Sequence, residues 1–224
     1  MKELTTTENN MDITNNSLMR REEQQRQQQS SNALLIKKTT TLINRYGDKS
    51  HFLAIFNPDL QAKACKYPDR CLFGDAPTLA EINTTYGDTM ATMWLIPQLY
   101  DLSEYCGCKD KLQGKPLEQC ASVIAGEFFY LKVSELMLFF HRFKTGRYGR
   151  FYGAVDPLVI TTSLRDFIRE RNDAYAVHEQ EERKAREEEE RKGKVLMSYE
   201  EYKELNRICE QIEAEYYMPT RWNK

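Results

Sequence analysis

The chain has 224 residues, enough for one or two domains, and its charged and polar residues are concentrated at its two ends. Its 32 basic and 34 acidic residues give a formal net charge of −2, which excludes polyanion binding by the whole surface, so any nucleic-acid contact has to come from a local patch. The first residues, MKELTTTENN, lack the apolar core of a signal peptide, and no apolar run reaches the roughly 18 residues of a membrane span. We therefore expect a cytoplasmic protein without a membrane segment.

The N-terminal part of the chain offers little to a core. Residues 1–32 consist mainly of Thr, Asn, Gln, Ser and Glu, so this segment is predicted to be disordered or transiently helical, and dispensable for folding. Residues 33–76 are predicted to form an irregular connector with short helices, since Pro58, Pro68 and Gly74 interrupt them.

The pattern becomes sharper after Pro77. Thr78 and Glu81 have the spacing of a capping box, which predicts a short helix over about 79–86. A longer helix is predicted to begin at Asp88, and Pro97 inside it removes a backbone hydrogen bond and predicts a kink.

The stretch 116–172 holds most of the apolar density of the chain and predicts three amphipathic helices. Pro116 fits the first turn of the first helix, and Ser134 is the expected cap of the second. The apolar positions of these two helices recur mostly at three- and four-residue steps: Leu117, Cys120, Ala121, Ile124, Phe128 and Leu131, then Leu136, Met137, Phe139, Phe140 and Phe143.

The third of these helices has the clearest start. Asp156 is a favoured N-cap residue, and Pro157 is favoured at the first helical position. Short connections between apolar helices predict a small helical bundle, whose core we place at 77–172.

The C-terminal segment, 173–224, is predicted to be a charged helix followed by an amphipathic one. Residues 179–194 carry seven acids and six bases without an apolar seam, which is typical of a solvated helix. Ser198 and Glu201 form a second capping box, which begins a final docking helix. Its apolar stripe, Tyr202, Leu205, Ile208, Cys209 and Ile212, needs a partner: the bundle, a neighbouring subunit or another protein.

The six cysteines are interpreted as reduced thiols, because no signal peptide directs the chain to an oxidising compartment. The alternative is a zinc site built from Cys65, Cys71, Cys106 and Cys108, although Cys106 and Cys108 are closer together than the usual C-x2-C spacing. We predict no metal and no cofactor.

One segment has the composition of a binding surface. Residues 141–152, HRFKTGRYGRFY, form a basic-aromatic loop that contains no acid. Arginine binds phosphate, and an exposed aromatic ring can stack on a base. The predicted nucleic-acid-binding residues are Arg142, Lys144, Arg147, Tyr148, Arg150 and Tyr152. The alternative is a structural loop whose aromatic residues pack on the core and whose cations are solvated.

No set of residues predicts catalysis. Ser134, Glu135 and His141 lie near one another on a helix, but nothing marks a nucleophile and its base. The glycines of the basic-aromatic loop do not follow the GxxxxGK[ST] order of a phosphate-binding P-loop. We therefore predict that the protein is not an enzyme.

The run LMLFFHRFKTGRYGRFYGAVDP, preceded by ASVIAGEFFYLKVSE and followed by LRDFIRER, resembles an uncharacterised helical family encoded by gut anaerobes, their phages and other mobile elements. The resemblance covers roughly 86–172 and rests on the YG…FYG…DP signature. It implies a DNA-replication or DNA-maintenance accessory, and it transfers no catalytic residue.

Together these patterns predict an all-α protein: a small helical bundle, a long charged C-terminal helix and a final docking helix, after a disordered N-terminus. The predicted function is non-catalytic binding, in which the basic-aromatic loop contacts nucleic acid or a replication partner. The alternative is a protein–protein adaptor that acts through its C-terminal helices, by binding another protein or by self-association, without nucleic-acid binding.

Overall fold

The computed structural model describes residues 4–193 and 197–216, with side chains described for 25–192 and 197–212. In these residues all regular secondary structure is helical, and β-pairing is limited to isolated bridges. The predicted all-α fold class is therefore confirmed. Every helix in the described ranges is too short or too polar to cross a membrane.

The helices are α1 (Leu4–Tyr46), α2 (Lys49–Ile55), α3 (Gln61–Cys65), α4 (Pro68–Phe73), α5 (Leu79–Tyr86), α6 (Met90–Cys106), α7 (Gly114–Glu127), α8 (Val133–Lys144), α9 (Pro157–Gly193) and α10 (Tyr199–Tyr216). A 3-10 turn, Pro58–Leu60, precedes α3. The chain divides into two compact units, one ending at Asp173 and the other beginning at Ala174.

The N-terminal segment is helical where the sequence predicts disorder or transient helix. Helix α1 begins at Leu4, whereas residues 1–3 of the predicted disordered segment lie outside the described residues. The side chains of 25–38 are all exposed, and α1 first becomes buried at Tyr46. This part of α1 therefore adds helix to the chain but, as its composition predicts, no buried core.

From Tyr46 onward, the predicted connector, 33–76, contributes to the packed core. It contains three short helices, α2, α3 and α4, and Phe52 is fully buried among the rings of Tyr46, Phe56 and Tyr86. The backbone carbonyl of Phe56 accepts hydrogen bonds from Trp94 Nε1 at 2.7 Å and Gln98 Nε2 at 2.9 Å. These hydrogen bonds tie the segment to α6, and the core therefore includes residues before 77.

The centre of the first unit is formed by α6, α7, α8 and the start of α9. Trp94, Phe139, Phe140 and Phe167 are fully buried there. Burying a large aromatic or aliphatic side chain contributes about 1.5–3 kcal/mol, so these four residues are a large part of what holds the unit together.

Two predicted helix starts are confirmed at the level of the hydrogen bond. Thr78 Oγ1 accepts from the Glu81 N–H at 3.2 Å, while the Glu81 carboxylate accepts from the Thr78 N–H at 3.0 Å. Asp156 Oδ1 accepts from the Leu158 N–H at 2.8 Å, and α9 begins at Pro157 as predicted.

Two other predicted starts are wrong. Helix α6 begins at Met90, not at Asp88, and the Ala91 N–H donates to Asn83 Oδ1 of the preceding helix at 2.7 Å. Ser134 does not cap α8, because the helix begins at Val133 and the Ser134 hydroxyl donates to the Cys71 carbonyl at 2.7 Å. In both cases a side chain forms a hydrogen bond to another helix, and α8 is capped locally by Glu135, whose carboxylate accepts from the Lys132 N–H.

The third bundle helix and the charged helix, predicted as separate, are both parts of α9. Its described side chains from Glu179 to Lys192 are exposed, as expected for a solvated helix. Lys194, the last residue of the predicted charged segment, lies outside the described residues, as do residues 195 and 196.

Candidate functional site

The basic-aromatic loop, 141–152, covers the last turn of α8 and the chain that leads to α9. Gly146 has a φ of 81°, a left-handed conformation that glycine adopts without strain and that ends α8. Beyond it, the Ser163 hydroxyl of α9 donates to the Tyr148 carbonyl at 3.2 Å. The rings of Phe143 and Phe151 pack with their centroids 5.2 Å apart. The loop is thus fixed to the bundle at several points.

Three of the predicted site residues converge on one carboxylate, that of Glu170 in α9. Arg142 Nη1 lies 3.4 Å from Glu170 Oε2, and Arg147 donates through Nε to Oε1 at 3.1 Å. The Tyr148 hydroxyl donates to Glu170 Oε2 at 3.0 Å. Burial raises the pKa of Tyr148 to about 12, so the phenol stays protonated and remains a donor.

A fourth predicted residue, Lys144, pairs with an acid of another helix. Lys144 Nζ forms an ion pair with Asp101 of α6, and the lysine side chain is only 14% exposed. Its ammonium group also lies 5.7 Å from the centre of the Tyr105 ring. Lys144 therefore links α8 to α6, and because its charge is paired with Asp101 it is poorly available to a ligand.

Arg150 and Tyr152 are the two predicted site residues that remain open. Both are exposed, Tyr152 to 89%, and among the described residues no acid lies within ion-pair distance of Arg150. Arg150 borders a hollow of about 310 Å³, whose other walls include Tyr105, Cys106 and Phe151. The structure thus brings the six predicted residues into one loop but leaves only these two, and the half-exposed Arg147, accessible.

Helix α10 is a second candidate surface. Its described side chains, residues 199–212, are all exposed. Tyr202, Leu205, Cys209 and Ile212 follow the alternating three- and four-residue spacing of a helix–helix seam, with Ile208 beside them. Leu205, Ile208 and Ile212 are about half exposed, so the apolar stripe has no cover from the part of the chain that the structure describes.

The charges of α10 are distributed unevenly around this stripe. The helix contains six glutamates against Lys203 and Arg207, which leaves a net charge of −4. By helical periodicity Glu201 and Glu204 lie next to the stripe, whereas Lys203 is on the opposite face. Arg207 forms an ion pair with Glu204, with Nη1 3.9 Å from Oε2. The stripe is therefore bordered by acids.

A third surface was not predicted from the sequence. A cleft of about 620 Å³ is walled largely by residues 45–76, with Ser134 and Met137 of α8 completing it. Arg45, Lys63 and Arg70 are among the lining residues. The only sequence signal is the helical spacing of Lys63, Tyr67 and Arg70, which is too common to mark a site.

Two of the three residues considered for catalysis, Ser134 and Glu135, form contacts between helices. Glu135 is fully buried and paired with Arg171, whose Nε donates to Oε1 at 2.7 Å. Ser134 is bonded to the Cys71 carbonyl, and burial lowers the pKa of His141.

The cysteines do not form the four-residue zinc site considered above. All six are free. Nowhere in the described ranges do three His, Cys, Asp or Glu side chains come close enough together to hold a metal ion.

The fold and these surfaces define an all-helical protein with a fixed basic-aromatic loop, an open cleft and a helix, α10, whose apolar stripe no described residue covers. Residues 115–213 match the model of a family of unknown function (DUF6633), so this part of the chain is similar to an uncharacterised family, as the sequence predicts. The match begins later than the predicted 86–172, since it leaves out α6. It also ends later, since it includes all of α9 and most of α10. No curated protein and no solved structure matches the chain.

Proposed function

We propose that the protein is a non-catalytic adaptor of the cytoplasm, which binds a partner protein through the apolar stripe of α10. The observation that carries this proposal is the exposure of Leu205, Ile208 and Ile212 on one face of a well-capped helix. A continuous apolar stripe that no described part of the same chain covers is typical of a protein-interaction surface. An amphipathic helix bound in an apolar groove is a common form of such recognition.

The charge of α10 indicates what kind of partner it binds. In self-association, two stripes with acidic borders would face each other, while Lys203 points away from the contact and Arg207 pairs with only one of the bordering acids, Glu204. A partner whose apolar groove is bordered by Lys or Arg meets the same stripe with complementary charge. We therefore propose a different protein as partner, with a basic border around its groove.

The experiment compares two substitutions that add the same charge to the same helix. Leu205→Asp places a carboxylate in the stripe, whereas Gln211→Asp places one away from it and serves as the control. Losing the burial of one leucine costs about 1.5–3 kcal/mol, roughly a ten- to hundredfold increase in Kd. Affinity capture from cells that encode the chain should yield the same partner with the parent and with Gln211→Asp, and not with Leu205→Asp.

Two results would contradict the proposal. One is retention of the partner by Leu205→Asp at the parent's level. The other is reversible dimerisation of the purified parent in sedimentation equilibrium that Leu205→Asp abolishes, since this would make α10 a self-association helix. Capture should also persist at high salt, because apolar docking is less sensitive to salt than phosphate contacts are.

A second candidate function is nucleic-acid binding by the basic-aromatic loop, in a DNA-replication or DNA-maintenance accessory of a mobile element. The observation that favours it is the exposure of Arg150 and Tyr152 beside the hollow of about 310 Å³. An exposed ring can stack on a base for about 1–3 kcal/mol, and an arginine can bind the neighbouring phosphate. Its weakness is that Arg142, Lys144 and Arg147 are already paired with acids.

This second proposal is tested with labelled single- and double-stranded DNA at two salt concentrations. Arg150→Ala with Tyr152→Ala should weaken binding about tenfold or more. The slope of the logarithm of the binding constant against the logarithm of the salt concentration should also become shallower. It should change by nearly one for each phosphate that the variant no longer neutralises. Arg183→Ala, at an exposed arginine of the charged part of α9, is the control. Absence of binding at low salt, or equal binding by the double variant, leaves the loop with a structural role.

A further inference from the structure

The cleft on the N-terminal side of the bundle has an apolar interior. Ile55, Phe56, Leu60, Ala64 and Met137 line it, and they come from α2, the 3-10 turn, α3 and α8. A volume of about 620 Å³ is within the range of pockets that hold small organic ligands, about 300–1,000 Å³. One continuous stretch, 45–76, supplies most of its wall, and Ser134 and Met137 of α8 complete it.

Three of the polar side chains that line the cleft, those of Ser134, Tyr46 and Cys71, already have partners. The Ser134 hydroxyl donates to the Cys71 carbonyl at 2.7 Å, and the Tyr46 hydroxyl donates to the Asp75 carbonyl at 3.3 Å. The Cys71 thiol lies 3.2 Å from the Ala64 carbonyl. An occupant of the interior is therefore not required to provide hydrogen bonds, and apolar atoms fit it best.

The charges around the cleft are mostly of one sign. Arg45, Lys63 and Arg70 line it, and Asp75 is the one acid among its lining residues. Asp75 lies 3.8 Å from Arg45. In the described residues no acid lies within ion-pair distance of Lys63 or Arg70, so two cations have no counter-charge.

We infer that this cleft binds a small amphiphile that has an apolar body and a single anionic head, such as a fatty carboxylate. The apolar body fills the space between Phe56, Leu60 and Met137, where burial of its surface is favourable. The head group pairs with Lys63 and Arg70, through charge-assisted contacts stronger than neutral ones. Its lining residues belong neither to α10 nor to the basic-aromatic loop, so this inference does not depend on either proposed function.

The binding test uses two ligands with alkyl chains of nearly equal length and opposite head charges, both below their micelle concentrations. Decanoate should bind the purified full-length protein with one-to-one stoichiometry in isothermal titration calorimetry. Decyltrimethylammonium should bind at least about tenfold more weakly, since its head would face Lys63 and Arg70. Equal binding of the two ligands, or no binding of decanoate, overturns the inference.

Variants then locate the site. The double substitution Lys63→Glu with Arg70→Glu should weaken decanoate binding at least about tenfold. Lys66→Glu, at an exposed lysine of the same stretch that does not line the cleft, should leave it unchanged. Ala64→Trp should block binding by filling the interior without altering the charge. Thermal midpoints show that each variant is folded, and decanoate binding by a folded Ala64→Trp variant at the parent's level overturns the inference.

Discussion

At the scale of single residues, the pair formed by Glu135 and Arg171 links α8 to α9. The Glu135 side chain is fully buried, and its two oxygens accept from Arg171 Nε at 2.7 Å and from the Lys132 N–H at 2.9 Å. A buried carboxylate is tolerable only when it is paired and hydrogen-bonded, because its transfer from water is costly. This contact therefore constrains how α9 packs on the bundle.

We expect Arg171→Ala to lower the free energy of unfolding by about 3–5 kcal/mol, because it leaves a buried carboxylate without its cation. Urea denaturation at pH 7 measures this. The control is Arg169→Ala, whose side chain is 79% exposed and pairs with Asp166 at the surface. Its effect should stay below about 1 kcal/mol. Similar midpoints for the two variants would show that Glu135 is stabilised by other groups.

The cysteines lead to a prediction about thiol reactivity. Burial raises the pKa of Cys71 to about 11 and that of Cys120 to about 11, so at pH 8 nearly all of both groups is in the unreactive thiol form. A disulfide reagent added to the native protein at pH 8 should modify the exposed Cys209 rapidly and spare Cys71 and Cys120 until denaturant is added. Cys209→Ser should remove the fast phase. Rapid native modification of Cys71 would contradict its burial.

At the scale of elements, the start of α9 depends on one side chain. Asp156 Oδ1 accepts from the Leu158 N–H, and Pro157 occupies the first helical position, where no N–H is needed. Because the same helix carries Ser163 and Glu170, its start also fixes the residues that hold the basic-aromatic loop.

Asp156→Ala should therefore cost about 0.5–2 kcal/mol of stability, through the loss of an acceptor for first-turn amides. Asp156→Asn retains a capping oxygen and should differ from the parent by only a few tenths of a kcal/mol. Chemical denaturation of the three proteins tests this. If alanine and asparagine behave alike, Asp156 does not act through its cap.

At the scale of the whole molecule, the buried core lies in the first unit. The most C-terminal buried apolar residue in the described ranges is Phe167, and the most N-terminal is Tyr46. A truncated chain of residues 33–173 retains Tyr46 and Phe167, and it also retains Arg171. Its thermal midpoint should match that of the full chain, since the residues removed contribute no buried apolar side chain among those described.

The control for this truncation is a chain of residues 47–173. It lacks Tyr46, whose ring packs against Phe52 and Phe56 at centroid distances of 6.0 and 5.5 Å. Losing a buried aromatic side chain costs about 3–5 kcal/mol, so the midpoint of this shorter chain should fall by many degrees. Equal midpoints for the two truncations would show that α1 contributes nothing to the core.

The sequence alone determined the features that depend on local interactions. The capping box of Thr78 and Glu81 and the Asp156-Pro157 start are formed by residues at most three apart, so their spacing was enough to predict them. The amphipathic periodicity of the helices fixed the all-α class for the same reason. The local prediction failed where another helix took part. Ser134 forms a hydrogen bond to Cys71 of α4, and Asn83 of α5 accepts from the first turn of α6.

Only the tertiary structure decided which charges remain free. The basic-aromatic loop contains no acid, yet Glu170 is 28 residues from Arg142 and Asp101 is 43 residues from Lys144 along the chain. Helix packing brings both acids to the loop, and no local pattern could show this. It likewise forms the cleft, since Lys63 and Met137 line one space only after α3 has packed on α8. The helices follow from neighbouring residues, whereas the surfaces follow from how the helices pack.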